Sequence, residues 1–527
     1  MTKYLINRIL RSLVSVMIVV GIVMVLIYSA LDRNLVFAAD PNYSHVKANG
    51  KEVYMMQQWE KYGYLDYLPY GDWLKGLLKS GEIDQATYDE AAKIGNKATG
   101  ANETAEAYIE RFTQEMKEDG YEVHPLEAKM KGKTKKYADG GEPRLYANKD
   151  IPLINRLWTY LTGLIRVDNI HFVPEENDIG ERGLTFTLYD PVYGGEKFSP
   201  AIIGNGTLHK YLLYFNDSFP YIHQNLVTIN LGTSYSIRQG IDVFQIMSDS
   251  QGSFKNSMVT YPSGNVVESA DNLHTATYVA DSLSKGTPVI QANFVDDYTN
   301  VSTYKNGLSK VGYSFTIGII AVALSYLLAI PLGTVMALQK DKFIDKLGTF
   351  YIVFITAVPS LAYIFLFKAI GGNMGLPTTF DMENPTWLMY ILPIISLSLP
   401  SVANLMKWLR RYMIDQMNSD YVKFARSGGL SEGEIFSQHI LKNAIIPIVH
   451  GIPGSVLGAM TGAIITERVY VVPGAGNLLT RSINAYDNGV IVGVTLFYAL
   501  LTVISIILGD VLMSVMDPRI SFTAKER

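Results

Sequence analysis

Residues 12–31 read Ser-Leu-Val-Ser-Val-Met-Ile-Val-Val-Gly-Ile-Val-Met-Val-Leu-Ile-Tyr-Ser-Ala-Leu, a run without a charged residue. At ~1.5 Å per residue this makes about 30 Å of helix, enough to cross the hydrocarbon core of a bilayer. Lys3, Arg8 and Arg11 precede it. A basic flank before an apolar run also describes a secretory leader, but this run exceeds a leader's apolar region. The following Asp32-Arg33-Asn34 lacks a clean cleavage signature, and Val36 to Ala39 offers the nearest one. The reading is a first membrane span with its N-terminus inside.

Working outward, no comparable run occurs from 32 to 310. Five more follow: Tyr313 to Leu338, Leu347 to Phe367, Trp387 to Met406, Ala444 to Thr466 and Gly489 to Met516. Counting alternately places Lys340, Lys342, Lys346, Lys407, Arg410, Arg411, Lys423, Arg426 and Lys442 inside. The outer loop from Ala369 to Pro385 has no Lys or Arg, and that from Glu467 to Asn488 has only Arg468 and Arg481. This asymmetry follows the positive-inside rule. The expectation is an all-α bundle of six transmembrane helices in the cell membrane. Both termini are cytoplasmic and residues 32–310 lie outside, inserted between the first two spans. The organisation is 1–31 (N-terminus and first span), 32–310 (external domain) and 311–527 (spans two to six), with a polar cytoplasmic stretch at 407–442.

Composition agrees with a mixed chain. Of 527 residues 48% are hydrophobic, and mean hydropathy is +0.13, between soluble and wholly membrane-embedded. A net charge of −4 and a pI near 6.1 argue against nucleic-acid binding, which needs clustered cationic surface. The absence of cysteine excludes disulfides, a thiolate nucleophile and a cysteine-ligated metal. Several spans carry Pro331, Gly333, Pro359 and Gly451-Ile452-Pro453-Gly454, which serve packing and kinking or gating. Asp510, inside the last run, needs a partner or a coupling role.

The external stretch reads as one α+β domain. Gln57 to Met130 carries helical signals, including 81–92 and 103–112. Gly183 to Tyr189, Tyr211 to Phe215, Thr275 to Ala280 and Pro288 to Phe294 are strand-like, and Lys129 to Gly141 reads as a solvated basic loop. Gly204-Asn205-Gly206 reads as a turn, with no Gly-x-Ser-x-Gly around it. His171, His209, His223 and His274 show no metal-ligand spacing, so no metal site is expected. Tyr211, Tyr214, Phe215, Phe219 and Tyr221 either pack a core or offer a surface to a partner or peptide. Nothing here amounts to an enzyme.

The stretch 407–442 holds the most specific pattern. Trp408, Leu409, Tyr412, Met413 and Met417 continue one helical face. Gly428-Gly429 permits a sharp turn, and Ser431 with Glu434 makes a capping box for a second helix, Ile435 to Leu441. The text Asp420-Tyr421-Val422-Lys423-x-Ala425-Arg426-x-x-Gly429-Leu430-Ser431, then His439-x-Leu441-Lys442-Asn443-Ala444-x-x-Pro447, resembles the cytoplasmic signature of permease subunits of ATP-binding-cassette importers. Lys423-Phe424-Ala425 stands where the wider signature has Glu-Ala-Ala, and Lys423 fits the dipeptide and oligopeptide branch. Other pieces resembling that branch are Tyr4 to Arg11, Ala329-Ile330-Pro331-Leu332-Gly333, Glu467-Arg468-Val469-Tyr470, Pro473-Gly474-Ala475-Gly476-Asn477-Leu478 and Asp517-Pro518-Arg519. The resemblance covers 1–31 and 310–521. A large insertion after the first span is similar to the longer permease subunit of oligopeptide importers of streptococci and related Gram-positive bacteria.

The resemblance implies the importer permease fold and half of a translocation pathway. A second homologous permease would form the other half, with two ATPase subunits, an external lipid-anchored peptide-binding protein and oligopeptide cargo. Tyr421, Lys423, Ala425, Arg426, Gly429, Leu430 and Ser431 would couple to an ATPase, supported by His439, Leu441, Lys442, Asn443 and Pro447. Lys423 and Arg426 would pair with acidic ATPase residues or remain solvated. Pro331, Gly333, Pro473, Gly474, Gly476 and Asp510 would serve gating or packing. No Gly-x-x-x-x-Gly-Lys-Ser/Thr occurs, so this chain is expected to hold no cofactor, with ATP and Mg2+ in the partner ATPases. Two other classes compete. A secondary transporter predicts inverted repeats with a polar midplane site, which the sequence lacks. A membrane-anchored peptide sensor or scaffold predicts a cytoplasmic signalling domain, whereas ten residues follow Asp517.

Overall fold

A computed structural model of the chain describes residues 2–30, 32–47, 50–93, 103–125, 145–167, 227–252, 307–382 and 384–516. Between these it describes short strands and turns within 129–136, 182–222 and 254–305. The chain begins with α1 (Thr2–Ala30), whose apolar residues run on every face. A mixed region follows: α2 (Pro41–His45), α3 (Lys51–Lys61), β1 (Leu65–Pro69), α4 (Tyr70–Ser80), α5 (Gln85–Ala91), α6 (Glu103–Glu118) and β2 (Glu122–Pro125). Next come β3 (Lys129–Lys131), β4 (Thr134–Lys136), β5 (Leu145–Asp150), α7 (Leu153–Thr162), β6 (Ile165–Val167), β7 (Gly183–Thr187) and β8 (Ala201–Asn205). It continues with β9 (Tyr211–Phe215), β10 (Pro220–Ile222), β11 (Val227–Ile229) and α8 (Val243–Ser248), then short strand pairs between 254 and 305.

The antiparallel sheet β1-β5-β2 is covered by α4, α5 and α6, which bury Tyr70, Trp73, Leu74, Phe112 and Met116 against Ala147. The spacing of Ala105, Phe112 and Met116 puts one face of α6 inward, and Asp84 starts α5 by accepting from the Thr87 amide at 2.8 Å. A second antiparallel sheet runs β10-β9-β8-β7. The basic stretch expected as a loop contains the β3–β4 pair, and 132–133 and 137–141 lie outside the described residues. β8 extends through the expected Gly204-Asn205 turn, leaving the positive φ to Gly206 at 70°. Of the remaining strand readings, 276–280 and 288–294 lie outside the described residues, as do His171, His209 and His223 and the side chains of Tyr211, Tyr214, Phe215, Phe219 and Tyr221.

The second half is helical: α9 (Lys310–Leu338), α10 (Phe343–Ala357), α11 (Ser360–Asn373), α12 (Ile391–Met417), α13 (Asp420–Ser427) and α14 (Glu432–Glu434). A π-helical turn, Ile435–Leu441, leads into α15 (Lys442–His450), α16 (Ile452–Tyr470), α17 (Ala475–Asn484) and α18 (Asn488–Met516). Among the described residues, four helices are long and apolar enough to cross a membrane: Asn7–Tyr28, Lys310–Leu338, Trp387–Met417 and Asn488–Val515. The other two expected spans are bent pairs. Leu347 to Phe367, read as one helix, breaks by 108° between α10 and α11, and the pair joined at Gly451 bends by 41°. The sharper break has a local cause. Pro359 has no amide hydrogen and pushes Val358 into extended backbone, φ −82° and ψ 130°, which no helix continues. Pro331, by contrast, sits inside an unbroken α9.

The two halves meet at a buried carboxylate. Asp487 accepts from the Ser234 hydroxyl at 2.7 Å and from the amides of Tyr235 at 3.0 Å, Ser236 at 2.9 Å and Ile237 at 3.0 Å. It also accepts from the Val490 amide at 3.2 Å, which caps α18. The fit is close: a methyl group at Gly489 would fall 2.0 Å from the Thr233 carbonyl oxygen, and one at Gly493 would fall 2.4 Å from that of Leu231. Asp487→Ala leaves these buried donors unpaired at ~1–3 kcal/mol each, so the loop 233–237 should open more easily. Amide hydrogen exchange at Tyr235 to Ile237 should accelerate about 100-fold, corresponding to ~2.7 kcal/mol. Unchanged exchange would show that the loop is held by other contacts.

Candidate functional site

The polar stretch after α12 folds into a compact elbow. α13 is amphipathic: Val422 and Ala425 turn inward, joining Ala337 of α9, Leu409 and Met413 of α12, Ile435, Ile440, and Ala444 and Ile448 of α15. Residues two apart on a helix lie about 200° around it, so burying Val422 turns Phe424 outward. Phe424 is 79% exposed, flanked by the exposed Tyr421 and Leu430.

The elbow ends in a Schellman motif. Gly429 takes φ 86°, its amide donates to the Arg426 carbonyl at 3.2 Å, and the Leu430 amide donates to Ala425 at 3.3 Å. Ser431 and Glu434 then form the expected capping box. Arg426 spans the turn, its Nε and Nη2 donating to the Glu432 carboxylate at 2.6 and 3.0 Å. Lys423 donates to Asp420 at 2.9 Å and holds that carboxyl below its ordinary range. Both cations thus have partners within the chain, on exposed surface where such pairs contribute little. The Tyr421 hydroxyl lies 3.2 Å from the His439 carbonyl, accepts from Asn443 Nδ2 at 3.0 Å and also meets Gln416. Tyr421, His439 and Asn443, read apart in sequence, therefore converge. Leu441 packs partly buried at the end of the π turn, Lys442 opens α15 exposed, and Pro447 lies within α15. The reading missed Phe424, which occupies an unspecified place in the pattern. Its signal was a large apolar residue on the polar side of a short helix.

The remaining candidates surround other buried charges. Glu467 accepts from the Ser314 hydroxyl at 2.6 Å and from the Asn477 amide at 2.9 Å, while Ser314 Oγ accepts from the Ala475 amide at 2.9 Å. Gly474 and Gly476 are packed on this carboxylate: an added Cβ would fall 2.2 Å from Glu467 Cδ at the first and 3.0 Å from Oε2 at the second. Pro473 lies in the turn between Val471, left-handed at φ 58°, and α17. Gly333 lets α9 approach α12, since its Cβ would meet the Met406 backbone at 3.3 Å. Asp510 has the partner its position requires, Arg8 at 2.8 Å. Pro331 lies within α9, and Asp517-Pro518-Arg519 lies outside the described residues.

Residues 329–522 match the model of the binding-protein-dependent transport system inner membrane component. The oligopeptide transport system permease protein AmiC of Streptococcus pneumoniae serotype 4 is 34% identical over 530 residues, covering 100% of this chain and 99% of that protein. The chain belongs to this permease family. Dipeptide transport system permease proteins DppB resemble the permease over less of its length. That of Lactococcus lactis subsp. cremoris is 31% identical over 225 residues, 42% of this chain and 73% of its own. That of Bacillus subtilis is 27% identical over 240 residues, 45% of this chain and 77% of its own. The AmiC likeness, spanning the whole chain, includes residues 32–310. The chain is a multi-pass membrane permease subunit, not an enzyme, and the ATPase resides in partner subunits.

A methyl group at Gly474 would fall 2.2 Å from Glu467 Cδ and force that buried carboxylate off its partners, whereas one at Gly454 meets nothing within 4 Å. Gly474→Ala should therefore destabilise the permease by ~1–3 kcal/mol through overpacking. Gly454→Ala should leave its thermal midpoint in detergent unchanged or raise it. Equal midpoints for the two variants would contradict the Glu467 packing.

Proposed function

We propose that this permease forms half of the pathway of an ATP-driven oligopeptide importer and that α13 is its contact with a cytoplasmic ATPase. The full-length likeness to an oligopeptide permease supports the cargo, and that likeness includes the region 32–310. A second, homologous permease supplies the other half of the pathway. Two ATPases bind ATP and Mg2+, and an external lipid-anchored binding protein delivers peptide. The bundle is read as six spans, counting each bent pair as one. The mixed α and β region is read as an extracellular domain inserted between the first two.

Helix ends support this orientation. Arg8 at the start of α1 bridges to Asp510 near the end of α18. A Cβ at Gly509 would meet the His450 carbonyl at 3.0 Å, so that same part of α18 adjoins α15, the helix that leads out of the elbow. The insertion instead reaches the opposite, Asp487 end of α18. These contacts support the reading in which both termini and α13 are cytoplasmic and residues 32–310 lie on the other side.

The observation that carries the coupling role is the tip of α13. Phe424 projects from a helix whose inner face is packed on α9, α12 and α15, so force applied at the tip reaches three helices. Packed elements shift between discrete arrangements rather than deform continuously, which suits a lever driven by ATPase closure. An exposed aromatic beside further exposed apolar side chains, here Tyr421 and Leu430, is the type of group that anchors a protein interface. Phe424→Ala should leave the amount and thermal stability of the permease unchanged while cutting ATPase co-purification and peptide uptake in proteoliposomes about tenfold or more, ~1.4 kcal/mol. Replacing Gly429 by a bulky residue should reduce uptake as well, because φ 86° disfavours any side chain. Normal uptake with both variants would sink the coupling role.

A further inference from the structure

α7 presents three different surfaces. Leu157 and Leu161 face α1, where a methyl group added at Gly21 would lie 3.6 Å from Leu157 Cδ2. Arg156 and Tyr160 face inward: the guanidinium carbon lies 4.1 and 3.7 Å from the ring centres of Tyr28 and Tyr64, and the Tyr160 hydroxyl donates to the Leu231 carbonyl at 3.1 Å. Ile154 and Trp158, one turn apart, face outward and are 69% and 67% exposed.

The strands beside α7 are patterned inside out. β6 pairs antiparallel with β11, setting Ile165 opposite Ile229 and Val167 opposite Val227. All four side chains share one face, and all four are exposed. Arg166 turns the other way, lining the same inner cavity as Arg156. A half-buried sheet in water does the reverse, packing its aliphatic face and wetting its polar one. Together with α7, these strands make a contiguous apolar surface of the kind that marks an interaction site.

The position of this surface identifies what covers it. Leu157 meets α1 at Gly21, about 10 Å inside the Tyr28 end of that span at ~1.5 Å per residue. The neighbouring side chains Met17, Ile18, Ile22, Val25 and Leu26 of α1 are themselves exposed and apolar. The outward face of α7 thus continues the lipid-facing side of a membrane span. Depth is bounded from the other direction, because open strand edges do not occur in the hydrocarbon core. An amphipathic element lying in the interface sinks about 5–10 Å, which satisfies both limits. Trp158 and Arg156 suit that boundary, an indole at headgroup level and a cation turned back toward polar groups.

We propose that α7 and the β6–β11 pair sit in the bilayer leaflet around the C-terminal half of α1, with Ile154, Trp158, Ile165, Val167, Val227 and Ile229 against lipid. The insertion is then a domain with a membrane-seated foot, held at a fixed height beside the bundle. The inference rests on α1 spanning the bilayer and is independent of peptide cargo and of which side is cytoplasmic.

The chain has no cysteine, so single labels can be introduced cleanly. Trp158→Cys, Ile165→Cys and Val227→Cys variants of the full chain in lipid nanodiscs would each carry a nitroxide. Collisions with oxygen and with a water-soluble nickel chelate would be compared, using Leu26→Cys on α1 and Lys79→Cys on α4 as the lipid and water references. The three labels should favour oxygen over nickel severalfold, as at Leu26→Cys, while Lys79→Cys shows the opposite. Nickel access equal to that at Lys79→Cys would overturn the proposal by showing the face in water. Immobile labels shielded from both reagents would overturn it by showing that protein covers the face. A water-like Leu26→Cys label would remove the span itself, and the proposal with it.

Discussion

A carboxylate with no access to water must have its acceptor capacity met by the protein, and Asp487 meets that requirement across the greatest structural divide in the chain. Its oxygens take three consecutive amides and a hydroxyl from the loop 234–237 while capping the first turn of α18. Charge-assisted bonds of this type are stronger than neutral ones, and a low-dielectric setting makes their loss costly. The loop 234–237 is therefore joined to the start of α18 as well as through the chain at α1 and α9. Glycines at 489 and 493 allow that approach, since a side chain at either would strike the loop backbone.

The same logic recurs at other carboxylates in the apolar helices. Asp345 of α10 takes two hydrogen bonds from Arg410 of α12, each 2.6 Å, and a third from the Asp341 amide. Asp510 pairs with Arg8, and Glu467 organises the start of α17 through Ser314 and Asn477. The Arg410–Asp345, Ser314–Glu467 and Arg8–Asp510 pairings join segments distant in sequence, so polar groups act as specific connectors within the bundle. The glycines at 333, 474 and 476 are the complementary device, removing side chains where two elements must touch.

The proposed coupling tip and the proposed membrane-seated foot differ in chemistry and lie at opposite ends of the permease. At one, α13 carries an exposed ring on a base shared by three helices, with its charges already satisfied locally. At the other, the mixed α and β region carries its own aromatic and helical cores, with α7 packed beside the apolar side of α1. A lever needs a firm base and an open tip, whereas a foot needs a surface that matches its surroundings along its whole length.

Apolar run length, basic asymmetry and local caps were legible in the residues themselves. Hydropathy reports transfer to lipid, and capping boxes and glycine turns involve groups only a few residues apart, as at Ser431–Glu434 and Gly429. Of the six apolar runs read as spans, four lie in helices long and apolar enough to cross a membrane among the described residues, whereas Leu347 to Phe367 folds as two helices at 108°, with Pro359 as the hinge, and Ala444 to Thr466 bends by 41° at Gly451. Composition does not encode direction, and Pro331 leaves its helix unbroken. The sequence by itself determined a membrane permease with a polar elbow, because those signals are local and additive. Only the tertiary structure decided that Phe424 is the free tip, that Gly474 and Gly476 serve a buried carboxylate, and that Arg8 answers Asp510. Those facts depend on which distant segments share a dehydrated space, and burial is a property of the assembled packing.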